Sequence, residues 1–118
     1  MPLVTTRRLR AVYAFLQHMP PFERWDLPAV GTIRFEILRD SDAGEYFVDD
    51  RDRHHIAVNA DTHITLLQMV ETVAHEMVHL RQDLLGKLPE IKTEKHNQEF
   101  RRLARVVCRN LGFDVQRF

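Results

Sequence analysis

Between residues 64 and 85, apolar side chains return every three or four positions: Leu66, Val70, Val73, Met77, Leu80 and Leu84. That spacing is the period of an α-helix and gathers the six onto one side. The segment therefore predicts a helix, the longest element in the chain. Asp61 or Thr62 is expected to cap its start. Gly86 ends it and Pro89 bars its continuation. A helix with so continuous an apolar side has to be covered, so the rest of the chain is read as what covers it.

The remaining elements follow from their own periods. Residues 5–19 carry Leu9, Val12, Tyr13 and Leu16 at helical spacing and predict an amphipathic helix. Pro20 and Pro21 stop it, because proline has no N–H to donate. Residues 22–31 form a connector. Residues 32–38 alternate around Ile33, Phe35 and Ile37, the pattern of a half-buried strand. Asp40, Ser41, Asp42 and Gly44 supply turn chemistry. A short second strand is expected at 45–48, a charged turn at 49–53, and a third strand at 54–60 around Ile56 and Val58. A polar loop covers 87–95. The last helix spans 96–111, with Phe100, Leu103, Ala104, Val107 and Leu111 facing inward and Gly112 as its C-terminal cap. This order predicts an α+β architecture: N-terminal helix, small three-stranded mostly antiparallel sheet, long helix and C-terminal helix. At 118 residues and 44% hydrophobic composition, residues 1–118 make one domain able to bury a core without disulfides or a structural metal.

Charge and cysteine usage exclude several function classes. Lys+Arg and Asp+Glu stand at 17 each, so the formal net charge is zero. The basic footprint that phosphate-driven nucleic-acid binding leaves is absent. Local basic patches are still available at Arg7, Arg8 and Arg10 and at Arg101, Arg102, Arg105 and Arg109. With one cysteine, Cys108, neither an intrachain disulfide nor a zinc ribbon can form. Cys108 falls in an apolar run and reads as a small buried hydrophobe. No stretch approaches the ~20 apolar residues of a membrane span, and the N-terminus lacks the apolar core of a secretory signal. The default expectation is a cytoplasmic protein with no membrane association.

The chemistry concentrates in His75-Glu76-Met77-Val78-His79. Two histidines four residues apart on a helix stand one above the other on one face. Imidazoles so placed can bind one Zn²⁺, with Glu76 rotated about 100° to stand beside the ion as a proton acceptor. A pattern this short also arises by chance, and its position in the middle of the strongest helix is what gives it weight. A catalytic zinc needs a third protein ligand and an open position. His96 is the leading candidate, since it opens the final helix where the chain turns back. Glu94 and Glu99 are the others. His18 reads as a solvent-facing residue closing the first helix, and His63 as a poor ligand near a helix start. His54 and His55 are adjacent on a strand and must point to opposite faces, so one of them is available to line a cleft. Glu71 and Asp83 extend the His75–His79 stripe and read mainly as solvated surface, with a ligand-orienting role open to either. Tyr46, His54, His55 and Arg81 are the candidate oxyanion donors, and nothing in the sequence ranks them.

The segment Thr72-Val73-Ala74-His75-Glu76-Met77-Val78-His79 resembles the active-site helix of SprT-like zinc metalloproteases. His96-Asn97-Gln98-Glu99-Phe100 is similar to that family's His-Gly-x-x-Phe motif, with asparagine where glycine is usual. The resemblance implies His75, His79 and His96 as ligands of one Zn²⁺ per chain and Glu76 as catalytic acid and base. It implies a zincin-like fold whose long helix carries the active site, and a zinc-dependent metalloendopeptidase acting on protein or peptide substrates. The family's C-terminal zinc ribbon has no counterpart here. DNA association would therefore rest on a partner or on a local basic patch. The alternative reading is a catalytically weak zinc-binding adaptor module for DNA or protein partners.

Overall fold

One strand is buried along nearly its whole length and so takes the centre of the sheet. This is β3 (His54–Asn59), in which the residues from His55 to Asn59 are all buried. A strand buried on both faces needs a neighbour on each edge. In the computed structural model, which describes residues 2–39, 42–62, 65–88 and 96–118, β1 (Ile33–Leu38) lies on one side of it and β2 (Gly44–Val48) on the other. The order is β1-β3-β2.

The sheet is mixed, where a mostly antiparallel one was expected. β2 and β3 are antiparallel, pairing Tyr46 with Ile56, and β1 and β3 are parallel, pairing Phe35 with Ile56. The cause is the path of the chain. The tight turn at 49–53, closed by Asp49 N–H to the Arg53 carbonyl at 3.0 Å, forces β2 and β3 into a hairpin. The chain leaving β1 crosses the end of β3 before entering β2. Asn59 secures that crossing: its main-chain N–H donates to the Ala43 carbonyl at 2.8 Å and its side-chain amide to the Asp42 carbonyl at 2.9 Å. The expected turn residues Asp40 and Ser41 lie outside the described residues.

The helices pack on one face of this sheet. α1 (Thr6–Gln17) buries Leu9, Tyr13 and Leu16 and sets the Tyr13 ring edge-on to Phe35 of β1. It ends two residues earlier than its pattern reached, and the expected connector contains two single turns of 3₁₀ helix, Phe22–Arg24 and Val30–Thr32. α2 (Leu66–Leu84) packs against α1, β2, β3 and α3 (Gln98–Leu111). Its buried positions include Met69, Val73, Met77 and Leu80, while Leu66 and Leu84 are exposed at its two ends. No helix among the described residues is long and apolar enough to cross a membrane.

The helix caps differ from expectation in one place. Thr65, not Asp61 or Thr62, caps α2: its side chain accepts from Gln68 N–H, and the Gln68 side chain accepts from Thr65 N–H, each at 3.1 Å. This reciprocal pair satisfies two donors that a helix start otherwise leaves open. Asp61 is instead held by Arg39 at 2.9 Å. Asn97 caps α3 by accepting from Phe100 N–H at 3.0 Å, so His96 stands just before the helix. Gly112 closes α3 at φ 77°, a conformation that favours glycine. Cys108 is buried among the apolar residues of α3, as expected, and burial raises its thiol pKa.

Candidate metal centre

The three histidines converge. His75 and His79 rise from one face of α2, and His96 reaches across from the start of α3, so that their ligand nitrogens all lie within 4.8 Å of one another. His75 Nε2 and His96 Nε2 are 3.0 Å apart. Two nitrogens sharing a tetrahedral ion at 2.0–2.1 Å would stand about 3.3 Å apart, so the observed separation fits a shared ion. No other cluster of three or more His, Cys, Asp or Glu among the described residues has this convergence.

Each histidine on α2 has its second ring nitrogen anchored. His79 Nδ1–H donates to Gln82 Oε1 at 2.7 Å. Gln82 is fully buried, and its amide nitrogen donates to Asn97 Oδ1 at 3.3 Å. The capping residue of α3 thus fixes which way the Gln82 amide points, and that amide fixes His79. His75 Nδ1–H donates to the main-chain oxygen of Phe118. In both rings the proton on Nδ1 leaves the lone pair on Nε2, the tautomer that ligates a metal through Nε2. Burial, with His96 beside it, pushes His75 down to about 4, against the upward pull of its bond to Phe118. The ring is neutral at physiological pH and able to ligate.

Phe100 completes the cluster from below. Its ring centroid lies 4.6 Å from those of His79 and His96, nearly parallel to both, and 4.8 Å from that of His75. An apolar ring under three imidazoles removes water from that side and stiffens their orientation.

Glu76 is buried at 4% exposure and lines the same cleft as His79 and His96. The opposite wall is the start of β2, with Asp42, Gly44, Glu45 and Tyr46, around a cleft of about 170 Å³. Gly44 allows this closeness. A Cβ there would stand 2.9 Å from Glu76 Oε2 and 2.7 Å from Thr72 Cγ2. A second recess of about 280 Å³ opens on the other side of Glu76, lined among others by Ala43, Thr72, His75 and Phe118.

The other candidates disperse. Glu99 pairs with Arg102 at 2.7 Å, which lowers its pKa and withdraws it from the ligand set. Glu94 and His63 lie outside the described residues. His18 caps the end of α1 and is exposed. His54 points to the helical side, where its Nδ1 donates to the Tyr46 hydroxyl at 2.7 Å and that hydroxyl donates to Asp83 Oδ2 at 2.9 Å. His55 points to the other face, with Glu36 at 3.1 Å and Asp49 at 2.7 Å. Arg81 turns away to the Trp25 carbonyl at 2.8 Å. Of the proposed oxyanion donors, Tyr46 alone lines the cleft, and its proton is committed to Asp83.

Two readings of the helix stripe are corrected. Glu71 is buried, not solvated, and is held by Arg117 at 2.6 and 3.1 Å. Asp83 is two-thirds shielded and binds Tyr46 instead of a metal-ligating histidine. Gln82 and the Phe118 main chain were not singled out from the sequence, and Gly44 was read there only as a turn residue. Gln82 alone left a trace there, a polar residue on a buried stretch of helix. Of the basic residues, Arg10 lines a groove with Arg34 and Arg53, while Arg8 is bound to the carbonyls of Pro2 and Leu3. No protein-family model, curated protein or solved structure matches the chain, so the metal-binding geometry stands on its own residues.

Proposed function

We propose that this protein is a zinc-dependent metallopeptidase, SprT-like in its site, that hydrolyses peptide bonds in protein substrates. The observation that carries the reading is the convergence of His75, His79 and His96 within 4.8 Å, with the buried carboxylate of Glu76 in the same cleft. Three imidazole ligands suit zinc and leave a fourth position open, as catalytic sites do. When bound, the ion would supply Lewis acidity, bringing the pKa of water to about 7 and polarising the scissile carbonyl.

The chain's own residues do the rest. Glu76 takes the proton of the attacking water at its carboxylate and delivers it to the departing amine. Phe100 keeps solvent from beneath the ligands. β2 is an edge strand, paired to β3 on one side only, and its first residues line the cleft. An extended peptide laid along that edge would gain main-chain hydrogen bonds while its scissile bond lies near Glu76.

The test is Glu76→Gln. Hydrolysis of an unfolded protein should fall by roughly 10²–10⁴-fold, with zinc retained near one equivalent per chain, whereas His96→Ala should lose the zinc. A fully active Glu76→Gln overturns the mechanism. Zinc binding by the wild type without turnover of any unfolded protein would favour the adaptor reading instead.

A further inference from the structure

We infer that residues 113–118 are a positioning strap for the metal centre: the main-chain oxygen of Phe118 orients His75, and the Arg117–Glu71 ion pair is the latch that keeps it there. The inference rests on the metal-centre reading above and extends it to a segment with no ligand of its own.

Three sets of contacts define the strap. After Gly112 reverses the chain, Asp114 organises a turn: its carbonyl accepts from Arg117 N–H at 3.1 Å and Phe118 N–H at 3.0 Å, and its carboxylate accepts from Gln116 N–H at 2.9 Å. The turn carries Phe118 back over α2. There its ring stacks on Phe113 at 5.9 Å and tilts against His75 at 5.3 Å, while its main-chain oxygen accepts the His75 Nδ1–H. One turn of α2 before His75, Glu71 receives Arg117 through two nitrogens at 2.6 and 3.1 Å.

The asymmetry of that pair identifies it as a latch. The Glu71 side chain is 9% exposed and that of Arg117 is 58% exposed. A carboxylate so buried is costly without a partner, and the forked guanidinium is the geometry that satisfies it. Arg117 and Phe118 are adjacent, so seating Arg117 on Glu71 places the next main-chain oxygen within reach of His75. An acceptor on the far nitrogen of a ligating histidine fixes its tautomer and raises its affinity for the ion.

The experiment compares wild type, Arg117→Ala and the charge-exchanged pair Glu71→Arg with Arg117→Glu. Zinc affinity is read by competition with a chromophoric chelator, and the His75 tautomer by ¹⁵N NMR of the metal-free chain at neutral pH. Thermal unfolding of each variant confirms that it is folded. Arg117→Ala should weaken zinc binding by about tenfold and lower the Nδ1–H tautomer population of His75, and the exchanged pair should restore both. Should Arg117→Ala leave affinity and tautomer unchanged, or the exchanged pair fold but recover neither, the latch is overturned. If the wild type binds no zinc, the metal-centre reading fails, and the tautomer measurement still decides the strap.

Discussion

Nδ1 of His79 stands 2.7 Å from Oε1 of Gln82, three residues further along the same helix. Gln82 in turn gives its amide N–H to Asn97, the residue that caps α3. The helix that carries His75 and His79 and the loop end that carries His96 are thereby joined by one amide. A glycine at position 97 could accept neither the bond from Gln82 nor that from the Phe100 N–H. Gln82→Leu keeps much of the volume but removes the acceptor. Zinc affinity should fall by about 10–100-fold, measured by chelator competition. An unchanged affinity would show that the His79 orientation is held by packing on Phe100 alone.

Gly44 sets the distance between the edge strand and the acid. In Gly44→Ala the new methyl would meet Thr72 Cγ2 at 2.7 Å, Glu76 Oε2 at 2.9 Å and the Ala57 carbonyl at 3.1 Å. The side chains can yield a little, but the carbonyl belongs to the central strand. Overpacking of this kind costs about 1–3 kcal/mol. The variant should unfold at lower urea concentration and lose the proposed peptidase activity beyond what its folded fraction explains. A variant with wild-type stability and activity would mean that β2 moves away from α2 freely.

Tyr46 gives the sheet a buried polar contact with α2. Its hydroxyl donates to Asp83 and accepts from His54. Tyr46→Phe leaves both partners short of a bond, at a cost of about 1–3 kcal/mol, to be read from chemical denaturation. Burial first, and then Asp83, raises the Tyr46 phenol well above its ordinary value of about 10. The unfolded chain therefore releases this proton before the folded one does. The stability due to Tyr46 is complete below pH of about 10 and is lost as pH rises beyond it. Tyr46→Phe should flatten that alkaline loss.

Asp49 governs the acid side. The hydrogen bond from His55, together with those from Arg53 and Arg51, holds its carboxyl far below the usual range. A depressed carboxyl stabilises the fold above its unfolded pKa of about 3.9, and that contribution drains away as pH falls below it. Asp49→Asn should thus be less stable than wild type at neutral pH, with the difference shrinking toward pH 2. Parallel denaturation curves whose separation stays constant from neutral pH to pH 2 would assign the loss to something other than this carboxylate.

What was legible in the sequence was whatever depends on near neighbours. The apolar period of α2, the alternation of β1, the Gly112 cap and the one-turn spacing of His75 and His79 all follow from residues within a few positions of each other. The choice of His96 over Glu94 and Glu99 drew on its place at the opening of the last helix, and the short motif of His96 with Phe100 added to it through the resemblance. Strand order was different. β3 is central because both its faces are buried, and its parallel pairing with β1 depends on a crossing that no local pattern records. The same limit hid the strap. Glu71 and Arg117 are 46 positions apart and His75 and Phe118 are 43 apart. A buried carboxylate and an exposed one share the same helical stripe until the partner is known. Local periodicity decided which residues could form the site, and the long-range packing of the C-terminal turn, the α3 cap and β2 against α2 decided how each is held.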